Sequence, residues 1–333
     1  MSLYSKLKEL CLCPSVSGRE GKVRELIRKK IEAYVDSVSV DTLGNLIAQK
    51  KGRGDKKIML CAHMDEIGFL VNFIDDNGLV RVATLGGIHC ADYSFGKVVS
   101  ENGVVGVFVP EAKVKSEDYK PDRMYIDIGA TSKKEAEKRV RIGDFFVAEP
   151  SLSRLCENKV AGRPLDDRIG CLVLLELAER LSKVETEYSV YFVFSVQEEV
   201  GCRGSKTATY AIAPDESLCF DVTLTGDVPG ASPMACSLGK GAAIKIKDSS
   251  VICSEEMVAA LTKVAKNSKI KVQKEILTGG GTDTSSMQLV GAGSMAGAIS
   301  IPTRYVHSGV EMCDMSDVKA CIDLAEQYIL TRG

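Results

Sequence analysis

The sequence has no tryptophan, only three histidines in 333 residues, and 6% aromatic side chains. It therefore offers few of the flat rings on which single-stranded nucleic acids stack. A charge excess is missing too: Lys+Arg 43 against Asp+Glu 45 leaves a formal net charge of −2. That balance excludes the electrostatic footprint expected of a nucleic-acid or anionic-membrane binder. No apolar run approaches the roughly 20 residues that span a bilayer, and Met1–Cys13 lacks a signal peptide's apolar core and cleavage site. The expectation is a cytoplasmic protein. No Gly-x-Ser-x-Gly elbow is present, which argues against a serine hydrolase. Twelve cysteines are present, but they are scattered and several sit inside apolar runs (Cys61, Cys171, Cys219), as buried thiols do. Cys11-x-Cys13 has no second pair with which to build a thiolate metal site.

The length allows a large core and more than one unit. Leu3–Leu12 and Gly21–Tyr34 read as amphipathic helices, the second preceded by Ser17 and Glu20 at capping-box spacing. Val38–Asp41 and Leu46–Gln49 read as a hairpin, and Lys57–Ala62 as a buried strand. From about Phe69 to Glu149 the runs become short and alternating, punctuated by Asp-Asn-Gly and Glu-Asn-Gly, which predicts a small β-barrel or sandwich inserted into an α/β domain. After Pro164 the α/β alternation returns, closing with a helix from Ser316, taken as its N-cap, to Thr331.

The chemistry lies at strand ends. Tyr191–Val196 is an apolar run that finishes in Gln197-Glu198-Glu199, and a strand covered on both faces has no solvated side to absorb two carboxylates. The strand Lys57–Ala62 finishes in His63-Met64-Asp65, Leu218–Phe220 in Asp221, and the extended run Ile299–Val306 in His307. Open α/β sheets place ligands at such ends. Asp166-Asp167, after Pro164, opens a helix. A two-metal hydrolase needs histidine and carboxylate ligands, a bridging carboxylate and a further proton carrier. His63, Asp166, Glu199, Asp221 and His307 supply five ligands and leave Glu198 for proton transfer. Asp65 is placed to hydrogen-bond the far nitrogen of His63. Singly each residue has a plainer explanation: a structural histidine, a turn aspartate, a helix start favoured by the dipole. Their joint occurrence at strand ends is what points to a site.

Cys61-Ala-His63-Met-Asp65-Glu66-Ile67-Gly68-Phe69, Leu165-Asp166-Asp167-Arg168-Ile-Gly170, Val196-Gln-Glu198-Glu199-Val-Gly201 and Ile301-Pro-Thr-Arg304-Tyr-Val-His307-Ser resemble, in order, the motifs of the tetrahedral (TET) aminopeptidases. These are cytosolic dinuclear metalloaminopeptidases that include glutamyl aminopeptidase. The resemblance runs from about Ser2 to the C-terminus. It implies a mixed-sheet α/β/α metallopeptidase domain from residues 1–67 and 161–333, with a β domain inserted at 68–160 for oligomerisation and substrate access. It implies two divalent ions per subunit, bridged by Asp166; the mixed imidazole and carboxylate set suits zinc or cobalt, with manganese as a third option. His63 and Asp221 would each hold one side of the pair and Glu199 and His307 supply the others, with Glu198 as general base and Asp65 as orienter. It also implies short peptide substrates, a substrate-facing Gly279–Asp283 loop and a hollow homo-dodecamer built from dimers. The sequence departs from the family pattern at Ile88-His89, where an aromatic is usual, and at Gly309, where proline is common. Two alternatives use the same residues: a related dinuclear deacylase or carboxypeptidase, and a non-catalytic peptide-binding scaffold.

Overall fold

The computed structural model describes residues 1–332. The chain opens with α1 (Leu3–Cys11), α2 (Gly21–Ile31), β1 (Ser37–Val40), β2 (Leu46–Lys50) and β3 (Lys57–His63). Next come β4 (Gly68–Ile74), β5 (Val80–Leu85), β6 (Gly96–Ser100), β7 (Val105–Pro110), β8 (Met124–Asp127), the one-turn α3 (Lys133–Ala136) and β9 (Phe145–Ala148). Then follow β10 (Ser151–Arg154), β11 (Lys159–Arg163), α4 (Arg168–Leu181), β12 (Ser189–Ser195), α5 (Arg203–Ile212) and β13 (Glu216–Thr223). The chain finishes with β14 (Ala242–Lys247), α6 (Glu255–Asn267), β15 (Val272–Ile276), α7 (Thr284–Leu289), β16 (Met295–Arg304), β17 (Glu311–Asp314) and α8 (Met315–Leu330). No helix among the described residues is long and apolar enough to cross a membrane.

The large mixed sheet has the order β1-β2-β12-β3-β13-β16-β17-β11-β10, with β14 and β15 branching from β16. Its centre, β12-β3-β13-β16, is parallel throughout. Parallel neighbours end on one edge, so the residues that finish these four strands are brought together there. Side chains alternate across the sheet. Leu60 and Ala62 of β3, Phe192 and Phe194 of β12, and Leu218 and Phe220 of β13 pack with Leu172 of α4 and Ile322 of α8. Met59 and Cys61, with Val193, Cys219 and Ala298, face the other way onto Ala208 and Ile212 of α5 and Met287 of α7. His63 continues the second set. This alternation explains why β3 reads as an unbroken apolar run: both of its faces are covered.

β4-β5-β8-β7-β6-β9 closes into a six-stranded barrel, which leaves no unpaired edge. Phe69 packs at its centre, with Phe108 at 4.4 Å and Tyr93 edge-on at 5.7 Å between ring centroids. The last barrel strand ends at Ala148, while β10 and β11 pair with each other and, through β17, with the large sheet. Two caps differ from the sequence reading. The Ser17 hydroxyl donates to Asp65 Oδ2 at 2.6 Å instead of capping α2, whose N-cap is Glu20. α8 is capped by Asp314, which accepts from the amide of Ser316, so that serine lies inside the helix.

Candidate metal centre

His63, the last residue of β3, lies level with Ser195 of β12 in the parallel register. Glu198 and Glu199 lie just beyond β12, Asp221 near the end of β13, and His307 in the turn after β16. Asp166 arrives from the segment between β11 and α4, where both Arg163–Pro164 and Asp166–Asp167 are cis peptides. Parallel topology thus gathers six side chains from stretches far apart in sequence around a cavity of about 560 Å³.

The two carboxylate oxygens of Asp166 face different histidines: Oδ1 is 3.1 Å from Nε2 of His63, and Oδ2 is 3.3 Å from Nε2 of His307. Asp221 lies on the His63 side, its Oδ1 3.9 Å from Nε2. Glu199 lies on the His307 side, its Oε2 3.2 Å from Nε2. The other nitrogen of each imidazole is occupied by a backbone carbonyl, Asp65 O for His63 and Gly87 O for His307, both at 3.0 Å. A carbonyl only accepts, so each Nδ1 carries the proton and each Nε2 is turned to the carboxylates. Neutral, both rings would aim a lone pair at negative oxygens; a cation between them resolves the conflict.

The charges say the same. Burial, then the neighbouring charges of Asp166 and Glu198, hold Asp221 well above the usual carboxylate range. Burial with Asp283 and Glu199 does so for Glu198, and burial with Asp166 raises Glu199. For both histidines burial favours the neutral form, but carboxylate contacts outweigh it; His307 is pushed up to about 11. Asp166, opposed by burial, is drawn well down by His307 and His63. Such a group is short of positive charge. Ligand atoms of His63, Asp166 and Glu199 lie within 4.8 Å of one another, as do those of His63, Asp167 and Asp221. Asp167 is otherwise engaged: its Oδ1 caps α4 through the amide of Gly170 at 3.0 Å, and its Oδ2 accepts from the amide of His63 at 3.2 Å. The donor set of imidazole nitrogens and carboxylate oxygens fits a divalent cation of the zinc, cobalt or manganese kind.

Asp65 differs in detail from the sequence expectation. Its carbonyl, not its carboxylate, is the hydrogen-bond partner of His63; the carboxylate Oδ1 stands 3.6 Å from Nδ1. That carboxylate accepts instead from the amides of Glu198 (3.1 Å) and Glu199 (3.3 Å) and from Ser17. It therefore fixes the turn that presents both glutamates. Glu198 Oε1 accepts from the thiol of Cys202 at 3.2 Å. His89 stays outside the site, exposed beside Asp92.

Two residues, Glu311 and Gly87, were not found from sequence, and a third, Asp283, was read only as the end of a substrate-facing loop. Glu311, fully buried on β17, accepts from the amides of Leu165 (2.6 Å), Asp166 (3.1 Å) and His307 (3.3 Å) and from Arg163 Nη1 (3.0 Å). One carboxylate thereby ties together the two segments that carry Asp166 and His307. Gly87, on the barrel's β5–β6 connection, accepts from His307, and a Cβ there would lie 3.0 Å from that ring. Asp283, at the end of the glycine loop, accepts from Ser195 Oγ at 2.5 Å and Ser205 Oγ at 2.6 Å and so anchors the loop to β12 and α5. Only the last carried a sequence signal, its place in Gly-Gly-Gly-Thr-Asp.

A parallel α/β sheet whose strand ends converge on histidines and buried carboxylates defines a metal-dependent hydrolase. Residues 44–324 match the model of the M42 glutamyl aminopeptidase family, and the chain belongs to that family, in its TET branch. It is thus a peptidase of the metallo-aminopeptidase class. The lysyl aminopeptidase of Pyrococcus furiosus is 36% identical over 339 residues, covering 98% of this chain and 96% of the relative. The aminopeptidase APDkam598 from the archaeon Desulfurococcus kamchatkensis has a TM-score of 0.95 at 36% identity, covering 99% and 94%. The TET1 peptidase of Pyrococcus horikoshii, which can assemble into a tetrahedron or a large octahedral shell, has a TM-score of 0.87 at 35% identity, covering 99% and 100%.

Proposed function

We propose that this chain is a cytosolic aminopeptidase with two divalent ions per subunit, zinc or cobalt with manganese as a third option, which removes N-terminal residues from short peptides. The observation that carries the reading is Asp166 reaching one histidine with each carboxylate oxygen. Asp166 would bridge the ions; His63 with Asp221 and His307 with Glu199 would complete the two sides. When bound, such ions polarise the scissile carbonyl and lower the pKa of a water towards about 7.

The protein's own part is proton transfer and positioning. Glu198 takes the proton of the attacking water and delivers it to the departing amine. Cys202 holds Oε1, leaving Oε2 for the transfer. Asp65 keeps Glu198 and Glu199 in place through their amides. The inserted barrel holds His307 through Gly87. By analogy with the shell-forming TET1 peptidase, the chain is assigned a homo-dodecamer built from dimers.

The test uses aminoacyl p-nitroanilides, each free and N-acetylated, with protein stripped by chelator and resupplied with zinc, cobalt or manganese. Metal-restored cleavage of the free substrates alone is expected. Equal cleavage of acetylated substrates would move the protein to a deacylase or endopeptidase.

A further inference from the structure

The cavity that holds the carboxylates and histidines continues into a region of different chemistry. Its aliphatic wall is Val222, Leu224, Leu277 and Val306, and Gly279–Gly281 forms a stretch without side chains. The hydroxyls of Ser250 and Ser285 also face it but are spent locally, on Asp248 Oδ1 and on the carbonyl of Thr282. The buried Thr223 hydroxyl has no partner, which is enough for one hydrogen bond but not for neutralising a charge. Among the described residues, no lining side chain outside the six-residue cluster is charged.

Basic groups on the flanking strands are locked away. Lys245 on β14 is fully buried, bound to Glu275 and 3.5 Å from Asp248. Arg304 on β16 makes a two-point contact with Asp227, at 2.9 and 2.8 Å. Recruiting either cation to a substrate carboxylate would strand a buried or paired acid. On that reading the cluster's own carboxylates are occupied as ligands and proton carrier, so the side-chain ammonium of a substrate lysine has no free partner either.

We propose that this cavity selects an uncharged, apolar first residue, of the leucine and methionine kind, and discriminates against both glutamate and lysine. The inference rests on the aminopeptidase reading above. Its physical basis is that a charged side chain entering the cavity loses water and meets no counter-charge.

The experiment compares kcat/KM of the metal-loaded enzyme on p-nitroanilides of norleucine, lysine, glutamine and glutamate, with leucine and N-acetyl-leucine as references. Norleucine against lysine and glutamine against glutamate isolate charge at nearly constant size. Each neutral partner is expected to exceed the charged one by about 10²-fold. Glutamate matching glutamine, or lysine matching norleucine, overturns the proposal while a continued demand for a free amine leaves the aminopeptidase reading standing. Cleavage of N-acetyl-leucine p-nitroanilide as fast as the free substrate overturns that reading itself, and the pocket assignment with it.

Discussion

Replacing Glu311 by glutamine probes the joint on which the metal centre hangs. Its four donors divide between the two oxygens: Arg163 and the His307 amide share Oε1, and the amides of Leu165 and Asp166 share Oε2. An amide side chain keeps one oxygen and turns an NH2 towards the other pair, leaving donors facing donors. Glu311 is completely buried and Arg163 only 1% exposed, so water does not repair the loss. Breaking a buried pair by removing one partner costs about 3–5 kcal/mol. Because one acceptor survives, and the guanidinium also lies 5.5 Å from the Tyr93 ring, about 3 kcal/mol is expected for E311Q. Equilibrium denaturation of metal-free protein measures that term without linkage to the ions. A metal-buffer titration should show affinity falling about 10–100-fold, as is usual when a ligand's support is removed. Stability within about 0.5 kcal/mol of wild type together with unchanged metal affinity would refute the assignment of Glu311 as the tie between Asp166 and His307.

Further substitutions separate the other supports. Valine at Gly87 places bulk against the His307 ring, since even a Cβ would stand 3.0 Å from Nδ1; metal retention should fall at least about 10-fold with little change in unfolding midpoint, the position being an exposed loop. Asp227 is drawn down to about 2: burial opposes ionisation, but Arg304 and the Leu238 amide outweigh it. A depressed carboxyl pKa contributes stability above the unfolded value of about 3.8 and loses it as pH falls towards 2. D227N should therefore be less stable at pH 7, by about 1 kcal/mol for a half-buried two-point pair. The gap in melting temperature should close between about pH 4 and 2, and a gap that stays constant would show that the ion pair is not its source.

Much of the site was legible because its residues end strands whose covering on both faces leaves unbroken apolar runs. β3 and β12 show this directly: each run stops at a residue that the large sheet carries to its C-terminal edge. The barrel was legible from short alternating runs and Asn-Gly turns. What escaped is what depends on distant pairing. β17 is four residues, Glu-Met-Cys-Asp, with no periodicity to mark it, and Glu311 gains its role only by meeting segments 145 and 146 positions away. Gly87 and His307 are 220 positions apart. Ser17 and Glu20 have capping-box spacing, yet burial beside Asp65 supplies Ser17 with a stronger, charged acceptor. For Asp65 the residue was identified but not the atom: its carbonyl serves the imidazole and its carboxylate serves the glutamate turn.

The most direct measurement of the central claim is metal content and turnover of E198Q beside E199Q, each prepared with the same metal and checked for assembly. E198Q should retain wild-type metal and lose turnover by at least about 10²-fold, the usual weight of a general base. E199Q should lose metal as well as activity. Retention of activity by E198Q, or loss of metal from E198Q with retention by E199Q, would contradict the division of labour between the two glutamates.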